Sequence, residues 1–581
     1  MMARMGKPSG HLLALHLKQW RSTFILALLL VWLAAMVGRA AYLQGLRHAF
    51  LQHKGDALAN RVVEMPAHRG MIFDRNREPL AISTPVESLW CNPADVEASP
   101  GQVRQIAAIL QMKPAEVRDK LEDSRNRGFV YIKRRLPPDQ AEAVTRLDIP
   151  GLSLQREYRR YYPAGEAVAG LLGFTGVDDS GEEGLELAWQ NWLAGKPGSQ
   201  RVLEDRHGNV IEDVQSILSP RPGHDLQLAI DMRLQYLAWH ELELAVTANK
   251  ARSGSIVVLD ARTGEVLAMT NVPSFNPNNL DGVKPWQMRN RAVTDQYEPG
   301  STLKPFTVTA ALDTGRYSPE TVIDTEGGSW QVGVNRIHDA HPEGMLTVSQ
   351  VIEKSSNVGA SKIALSLESQ YMWQKLHDCG FGVAPVSGFP GVAEGDLRPW
   401  QHWRPIEQAT MSYGNGISVS LLQLARAYTV FTNHGVLLPV SLVEGARNTS
   451  QPVRVYSEKS ADEMAAMLEN VVTPEGTAPL ASLADYRVAG KTGTAHKPDH
   501  GGYSANRYIA SFIGFAPASR PRLIVAVMID EPSAGQYYGG TVAGPVFHNV
   551  MDNALHLLDV APDKVMPVHA GPDETGKAAR T

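Results

Sequence analysis

Cysteine is nearly absent: Cys91 and Cys379 are the two thiols in 581 residues. Two cysteines so far apart in sequence cannot form a disulfide framework or a cysteine metal cluster, so both are expected to stay unpaired. An excess of basic charge is missing too. Lys plus Arg number 56 against 61 Asp plus Glu, a net charge of −5, so the chain lacks the electrostatic footprint of a nucleic-acid binder and none is expected as a partner. Long apolar runs are scarce: one lies near the N-terminus, and others such as Leu523 to Ile529 are far too short to cross a bilayer. No internal repeat is visible. What is present, 43% hydrophobic and 20% charged residues, excludes whole-chain disorder and suits a large multidomain globular protein.

The single long run, Phe24 to Val37, carries no polar side chain. Extended to residues 23–42 it reaches about 20 residues, enough for a ~30 Å hydrocarbon core. Trp20 and Tyr42 bracket it as interfacial aromatics, and Arg39 snorkels at the far end. Arg4, Lys7, Lys18 and Arg21 precede it with no acid among them, which predicts a cytoplasmic tail over 1–22. A cleaved signal peptide competes with the anchor, because Gly38-Arg39-Ala40 offers small residues at the right spacing for a cut. Both readings put residues 45–581 outside the cytoplasm.

Residues 43–222 are charged and loop-rich, with helical patterns at Val96 to Leu110, Pro138 to Thr145 and Gly181 to Leu193, and a strand at Tyr158 to Tyr162 running into Pro163. They present no nucleophile, base and acid together, so a structural or docking module is expected there. After Pro220 to Gly223 the texture changes. Leu226 to Ile230 reads as a strand and Met232 to Val246 as a helix; Ser255 to Asp260 and Val266 to Thr270 flank a Gly-containing turn, a hairpin signal. Tyr508 to Phe515 and Leu523 to Ile529 are again strand-like, with helices such as Val348 to Leu367 and Leu421 to Thr432 between. Strands at both ends of a helical middle predict one sheet completed by distant segments: an α+β domain over 223–560. Residues 561–581, rich in Pro and Gly, read as a disordered tail.

Three short stretches carry chemistry. In Glu298-Pro299-Gly300-Ser301-Thr302-Leu303-Lys304-Pro305 the proline fits only a first helical turn, so a helix starts near Ser301. Spacing i to i+3 then sets the Lys304 amine beside the Ser301 hydroxyl. A serine is a weak nucleophile until a base takes its proton, and a lysine is that base only when burial or nearby positive charge lowers its pKa. In Lys354-Ser355-Ser356-Asn357 a tight turn can point Ser355 and Asn357 into one cleft, the hydroxyl to relay a proton and the carboxamide to hold a carbonyl or the amine. In Ala489-Gly490-Lys491-Thr492-Gly493-Thr494-Ala495 the lysine offers charge to a carboxylate and the threonines donate hydroxyls, while Gly493 on an edge strand lets a substrate backbone approach. A phosphate loop is excluded, since it needs a glycine where Asp485 stands. His338-Asp339-Ala340-His341 has ligand-type residues but reads as a polar surface turn. Tyr503 and Tyr537-Tyr538-Gly539-Gly540 are candidates for a wall of the cleft.

The order S-x-x-K, S-x-N, K-T-G resembles the penicilloyl serine transferases. Arg69-Gly70, Asp74-Arg75-Asn76, Tyr161-Tyr162-Pro163-Ala164-Gly165-Glu166, Gly173-Phe174-Thr175 and Glu182-Glu183-Gly184-Leu185-Glu186 resemble the pedestal of class B penicillin-binding proteins. Tyr413-Gly414-Asn415-Gly416, Glu475-Gly476-Thr477-Ala478 and Asp530-Glu531-Pro532 add to the likeness, which is greatest to the division-specific FtsI or penicillin-binding protein 3 type of Gram-negative bacteria. Arg77 departs from the pattern, standing where a glycine usually closes the D-R-N-G turn.

The resemblance implies a pedestal over 43–222, a transpeptidase domain with a central antiparallel sheet over 223–560, and a peptidoglycan D,D-transpeptidase of septal wall synthesis that needs no metal or cofactor. It implies Ser301 as nucleophile, Lys304 as base, and Ser355, Asn357 and Lys491 as further catalytic groups. Backbone N–H groups of Ser301 and Thr494 would form the oxyanion hole, and Thr492, Gly493, Thr494, Asn357, Tyr503 and Tyr537 would contact substrate. The implied partners are stem peptides ending in D-Ala-D-Ala, β-lactams that trap Ser301, an FtsW-type membrane glycosyltransferase with other division proteins, and the inner membrane. Two alternatives stay open: a β-lactamase, against which stands the lack of an E-x-E-L-N-like segment, and a catalytically degenerate scaffold or sensor, against which stand the intact motifs.

Overall fold

The computed structural model describes residues 19–50, 60–93, 96–122, 129–204, 210–445, 451–499 and 502–564. Arg4, Lys7 and Lys18, and the expected tail from residue 565 on, lie outside them. The apolar run forms the helix Gln19–Ala41, 23 residues with none buried. At 1.5 Å per residue it is about 35 Å long, enough to span hydrocarbon. Among the described residues it is the one helix long and apolar enough to cross a membrane.

By packing, the chain falls into two units: Met1–Pro66, Val86–Glu157 and Pro197–Pro220 in one, and Ala67–Pro85, Tyr158–Lys196 and Arg221–Thr581 in the other. The first holds an antiparallel sheet in which Gly198–Glu204 lies between Asn60–Met65 and Val210–Leu218. Its small core gathers Val103, Ile106 and Leu110 of the helix Pro100–Leu110 against Leu89, Ile132 and Val144. That helix starts later than the pattern from Val96 suggested. Ser99 accepts from the Gln102 N–H while the Gln102 side chain accepts from the Ser99 N–H, a reciprocal cap that fixes the first turn. Cys91 is buried in this core, Cys379 is buried in the other unit, and both are free.

The second unit is built on a five-stranded sheet: β1 (Ser253–Asp260), β2 (Val266–Val272), β3 (Ala489–Asp499), β4 (Gly502–Ala516) and β5 (Leu523–Asp530), in the order β2-β1-β5-β4-β3. Every neighbouring pair is antiparallel, so distant segments complete one sheet as the sequence predicted. Every residue of β1 and β2 is buried, as expected when both faces are covered. Helices Met232–Ala248, Leu421–Ala427 and Gly544–Leu557 pack against these strands. β3 is one of the two edge strands, with β2 at the other edge.

The motifs quoted from the pedestal meet inside this unit. The Glu186 carboxylate is fully buried and takes two guanidinium groups, Arg69 Nε at 2.8 Å on one oxygen and Arg160 Nε at 2.7 Å on the other. Arg69 also donates to the Gln190 side chain and the Glu186 carbonyl, and Arg160 to the Gly70 carbonyl and Ser83 hydroxyl. Gly181 to Leu193, read as one helix, is two short ones, Gly184–Ala188 and Gln190–Leu193, and the first presents Glu186 to both arginines. Arg77 sits at φ 68°, the left-handed region where glycine is unstrained, which explains the usual glycine. Asp74 holds the turn regardless, accepting from the Asn76 and Glu78 N–H groups at 2.7 and 2.8 Å. Replacing Glu186 with Gln leaves two guanidinium groups buried without a counter-charge. The expected cost is about 3–5 kcal/mol, read as a lower urea midpoint; an unchanged midpoint would contradict this role for the cluster.

Candidate active site

The nucleophile's turn grows out of a buried helix. Gly300–Leu303 is one 3-10 turn, and α1 (Lys304–Asp313) continues it with Pro305 in the first turn, where no N–H is needed. Every residue from Lys304 to Leu312 is buried. The Phe306 ring packs edge-on against Phe381 and Tyr428, with centroids 5.1 and 5.4 Å away, and the Tyr428 and Tyr456 hydroxyls donate to the Thr302 and Phe306 carbonyls at 3.0 Å each. Lys304 therefore begins a helix that has no wet face, and it is 0% exposed. Gly300 takes φ 57°, and the Tyr413-Gly414-Asn415-Gly416 loop presses on it so closely that a Cβ on Gly414 would stand 2.1 Å from the Gly300 carbonyl oxygen. Ser301 is half-buried at the surface of this assembly.

The second stretch is the tight turn expected at Ser355, and it divides the helical pattern of Val348 to Leu367 in two. α2 (Val348–Glu353) stops, Ser355 turns through φ 60°, and α3 (Asn357–Leu365) starts afresh. The Ser356 hydroxyl caps α3 by accepting from the Gly359 N–H at 2.9 Å. Asp339 completes the cap from another loop: one carboxylate oxygen accepts from the Asn357 and Val358 N–H groups at 2.5 and 2.9 Å, and the other from the Ser356 hydroxyl at 2.7 Å. The Asn357 amide group also donates to the His338 carbonyl at 2.9 Å. The segment read as a polar surface turn thus keeps His338 and His341 exposed but aims its aspartate at the corner. Sequence reasoning missed Asp339; the only signal was an acidic residue upstream of a serine-rich helix start.

On β3, Lys491 is also 0% exposed, and its Nζ lies 3.0 Å from Ser355 Oγ and 3.2 Å from Thr492 Oγ1. The Lys304 Nζ lies 2.9 Å from Ser301 Oγ, 2.5 and 3.1 Å from the Ser355 carbonyl and hydroxyl oxygens, and 2.8 Å from Asn357 Oδ1. Ser301, Lys304, Ser355, Asn357 and Lys491 therefore form one connected group. Burial pushes the Lys304 pKa well below its ordinary value; the Lys491 charge pushes it further, and Asp339 opposes. Burial alone lowers Lys491 to about 7. A neutral amine has two N–H donors and one lone pair. The Ser355 carbonyl and Asn357 Oδ1 can only accept, so they take both donors and leave the lone pair to the hydroxyls. That is the state in which Lys304 can receive the Ser301 proton.

Around this group the remaining predicted residues separate. Gly493 lacks a side chain because of the protein's own packing: a Cβ there would stand 2.3 Å from Ser511 Oγ and 2.9 Å from the Pro299 carbonyl. The Thr494 hydroxyl accepts from the Gly539 N–H at 3.0 Å, which joins the Tyr537-Tyr538-Gly539-Gly540 loop to β3. The nucleophile's turn faces the same stretch of β3, with the Cβ position of Gly300 only 3.4 Å from the Thr494 carbonyl oxygen. Tyr537 stacks on Tyr508 at 4.2 Å and on Tyr538 at 4.5 Å, and Tyr508 meets His496 at 4.5 Å. Tyr503 stands apart from that stack and donates to the Glu298 carboxylate at 3.0 Å. Glu298 also accepts from the Gly416 N–H at 2.8 Å, and burial raises its pKa. Tyr508 was not singled out in the sequence, where its side-chain neighbours are invisible.

Known proteins resemble this chain along most of its length. Residues 254–552 match the penicillin binding protein transpeptidase domain, and residues 64–228 the penicillin-binding protein dimerisation domain. The chain is 42% identical over 554 residues to a Neisseria meningitidis protein named probable peptidoglycan D,D-transpeptidase PenA, covering 95% of each. It is 40% identical over 552 residues to the Escherichia coli peptidoglycan D,D-transpeptidase FtsI, covering 94% of this chain and 93% of the other. Among solved structures, penicillin binding protein 3 of Mycobacterium tuberculosis complexed with aztreonam is 27% identical at a TM-score of 0.67, covering 86% of this chain and 98% of that one.

Asp339 offers a direct test of how the corner is held. Asp339→Ala leaves the Ser356 hydroxyl and two helix N–H groups without their acceptor, at an expected cost of about 1–2 kcal/mol. The check is the urea midpoint, and a variant as stable as the parent would contradict the capping role.

Proposed function

The chain belongs to the penicillin-binding protein family, carrying both its transpeptidase and its dimerisation domain, and on that premise we propose that it is a serine peptidoglycan D,D-transpeptidase of septal wall synthesis. The observation that carries this reading is the Lys304 amine, buried without exposure and within hydrogen-bond distance of Ser301, Ser355 and Asn357.

In the proposed reaction Lys304 takes the Ser301 proton and Oγ attacks the carbonyl between the two D-alanines of a donor stem peptide. The oxyanion that forms accepts from the Ser301 and Thr494 N–H groups; a donor so placed contributes roughly 3–4 kcal/mol in other enzymes. The C–N bond breaks, and the proton held by Lys304 passes through the Ser355 hydroxyl to the leaving amine, so D-alanine departs and the acyl group stays on Ser301. Lys491 stabilises the charge along that path, and Thr492 and Thr494 hold the donor's terminal carboxylate. Asn357 holds both the amine and the donor's peptide amide. An amine of a neighbouring stem then attacks the ester, Lys304 again receives and returns a proton, and the crosslink forms as Ser301 is restored. A β-lactam presents a similar carbonyl and carboxylate, but its leaving group stays tethered after acylation, so it traps Ser301.

The apolar helix Gln19–Ala41 serves as a single-pass anchor of the inner membrane with the N-terminus cytoplasmic and the catalytic unit periplasmic. The two matched domains are a transpeptidase and a dimerisation domain, so the proposed partner for polymerising glycan is an FtsW-type glycosyltransferase together with other division proteins. Tyr537 is proposed to wall the cleft through its stack with Tyr508, and Tyr503 to line it from the Glu298 side.

The test is the intact mass of the full chain in detergent after incubation with benzylpenicillin, beside Ser301→Ala. One stable penicilloyl adduct, absent from the variant, is expected. An adduct that hydrolyses within seconds would point to a β-lactamase, and no adduct on either protein would leave a scaffold.

A further inference from the structure

Loop 473–478 enters none of the steps above, yet it touches the site at two points. Its Thr477 Oγ1 lies 2.9 Å from the Thr492 Oγ1, and its Glu475 carbonyl accepts from Lys354 Nζ at 2.7 Å. Lys354 is the residue immediately before Ser355, so it reaches from the corner between α2 and α3 to the loop beside β3. The loop itself is packed tightly: a Cβ on Gly476 would stand 2.3 Å from the Val471 carbonyl oxygen, and one on Gly540 would stand 2.2 Å from that of Thr477.

We propose that Thr477 is a positioning residue that turns the Thr492 hydroxyl toward the substrate's terminal carboxylate, and that Lys354 holds its loop within reach. This rests on the transpeptidase reading and deepens it. A hydroxyl has one proton and two lone pairs. On Thr492, Lys491 Nζ approaches the oxygen at 3.2 Å and fills one lone pair. When the Thr477 hydroxyl donates to the other, the Thr492 proton has one direction left, the cleft. With no anion bound the two hydroxyls can reverse, Thr492 donating to Thr477, and no hydrogen bond is lost in the exchange. An arriving carboxylate settles the direction, and the chain from Thr477 through Thr492 to the anion is strengthened because each bond polarises the next. The Thr494 hydroxyl is served in the same way from behind by the Gly539 N–H at 3.0 Å.

The experiment measures second-order acylation of Ser301 in the full-length chain by benzylpenicillin and by its methyl ester, which lacks the anionic oxygen pair. Thr477→Val keeps the side chain's shape and removes the donor. It is expected to slow acylation by the free acid about 3- to 10-fold and to leave the ester within about twofold of the parent. Lys354→Met should show the same pattern more weakly, with Lys354→Arg restoring the rate, and this second site keeps the test valid if Thr477→Val fails to fold. Equal losses with both ligands, or no loss with either, would overturn the proposal. A parent chain that neither ligand acylates would sink the transpeptidase reading and this inference with it.

Discussion

Two primary amines buried side by side, with no carboxylate bonded to either among the described residues, are the constraint on which the site depends. Lys304 and Lys491 are both without exposure, and the groups within bonding distance of them are hydroxyls, backbone carbonyls and one carboxamide. Burying a cation without a counter-charge favours loss of its proton, which lowers the pKa of both amines. The reactivity proposed for Ser301 thus depends on the helix behind it. Because α1 has no wet face, its first residue has nowhere to reach for water, and the aromatic packing of Phe306, Phe381, Tyr428 and Phe431 keeps it so.

The other pieces supply what that amine lacks. The broken helix at Ser355 turns a carbonyl and a carboxamide to Lys304, which fixes how its two N–H bonds are used. The edge of the sheet carries Lys491 and the two threonines, since only an edge strand leaves a side open to an extended peptide. Glycines let these elements close on one another. Gly414 admits the Gly300 carbonyl, and Gly493 admits Ser511 and the Pro299 carbonyl, so the nucleophile's turn rests directly on β3. A side chain at Gly414 would push the loop off the nucleophile's turn, and one at Gly493 would push that turn off β3.

Much of this was legible in the sequence because it is local. Pro305 fixed where the helix had to start, i to i+3 spacing set Lys304 by Ser301, and alternating strands at both ends predicted the mixed fold. The tight turn at Ser355 was legible, but what holds it was not: a left-handed Ser355 followed by a helix start that a carboxylate from another loop caps. Asp339, Thr477 and Tyr508 act only through partners brought by the fold, so no spacing rule could find them. The meeting of Arg69, Arg160 and Glu186 was hidden for the same reason, although each lies in a stretch whose pattern was already noticed.

The measurement that reaches the central claim most directly is the pH dependence of Ser301 acylation by benzylpenicillin in the full-length chain. If Lys304 is the base, the rate constant rises with pH as its depressed pKa is passed and levels far below the ~10.4 of an ordinary lysine. It falls again as Lys491, held near 7, loses the charge that the carboxylate needs. A rate that keeps climbing to pH 10 would mean that the buried amine stays protonated at neutral pH, which contradicts the account.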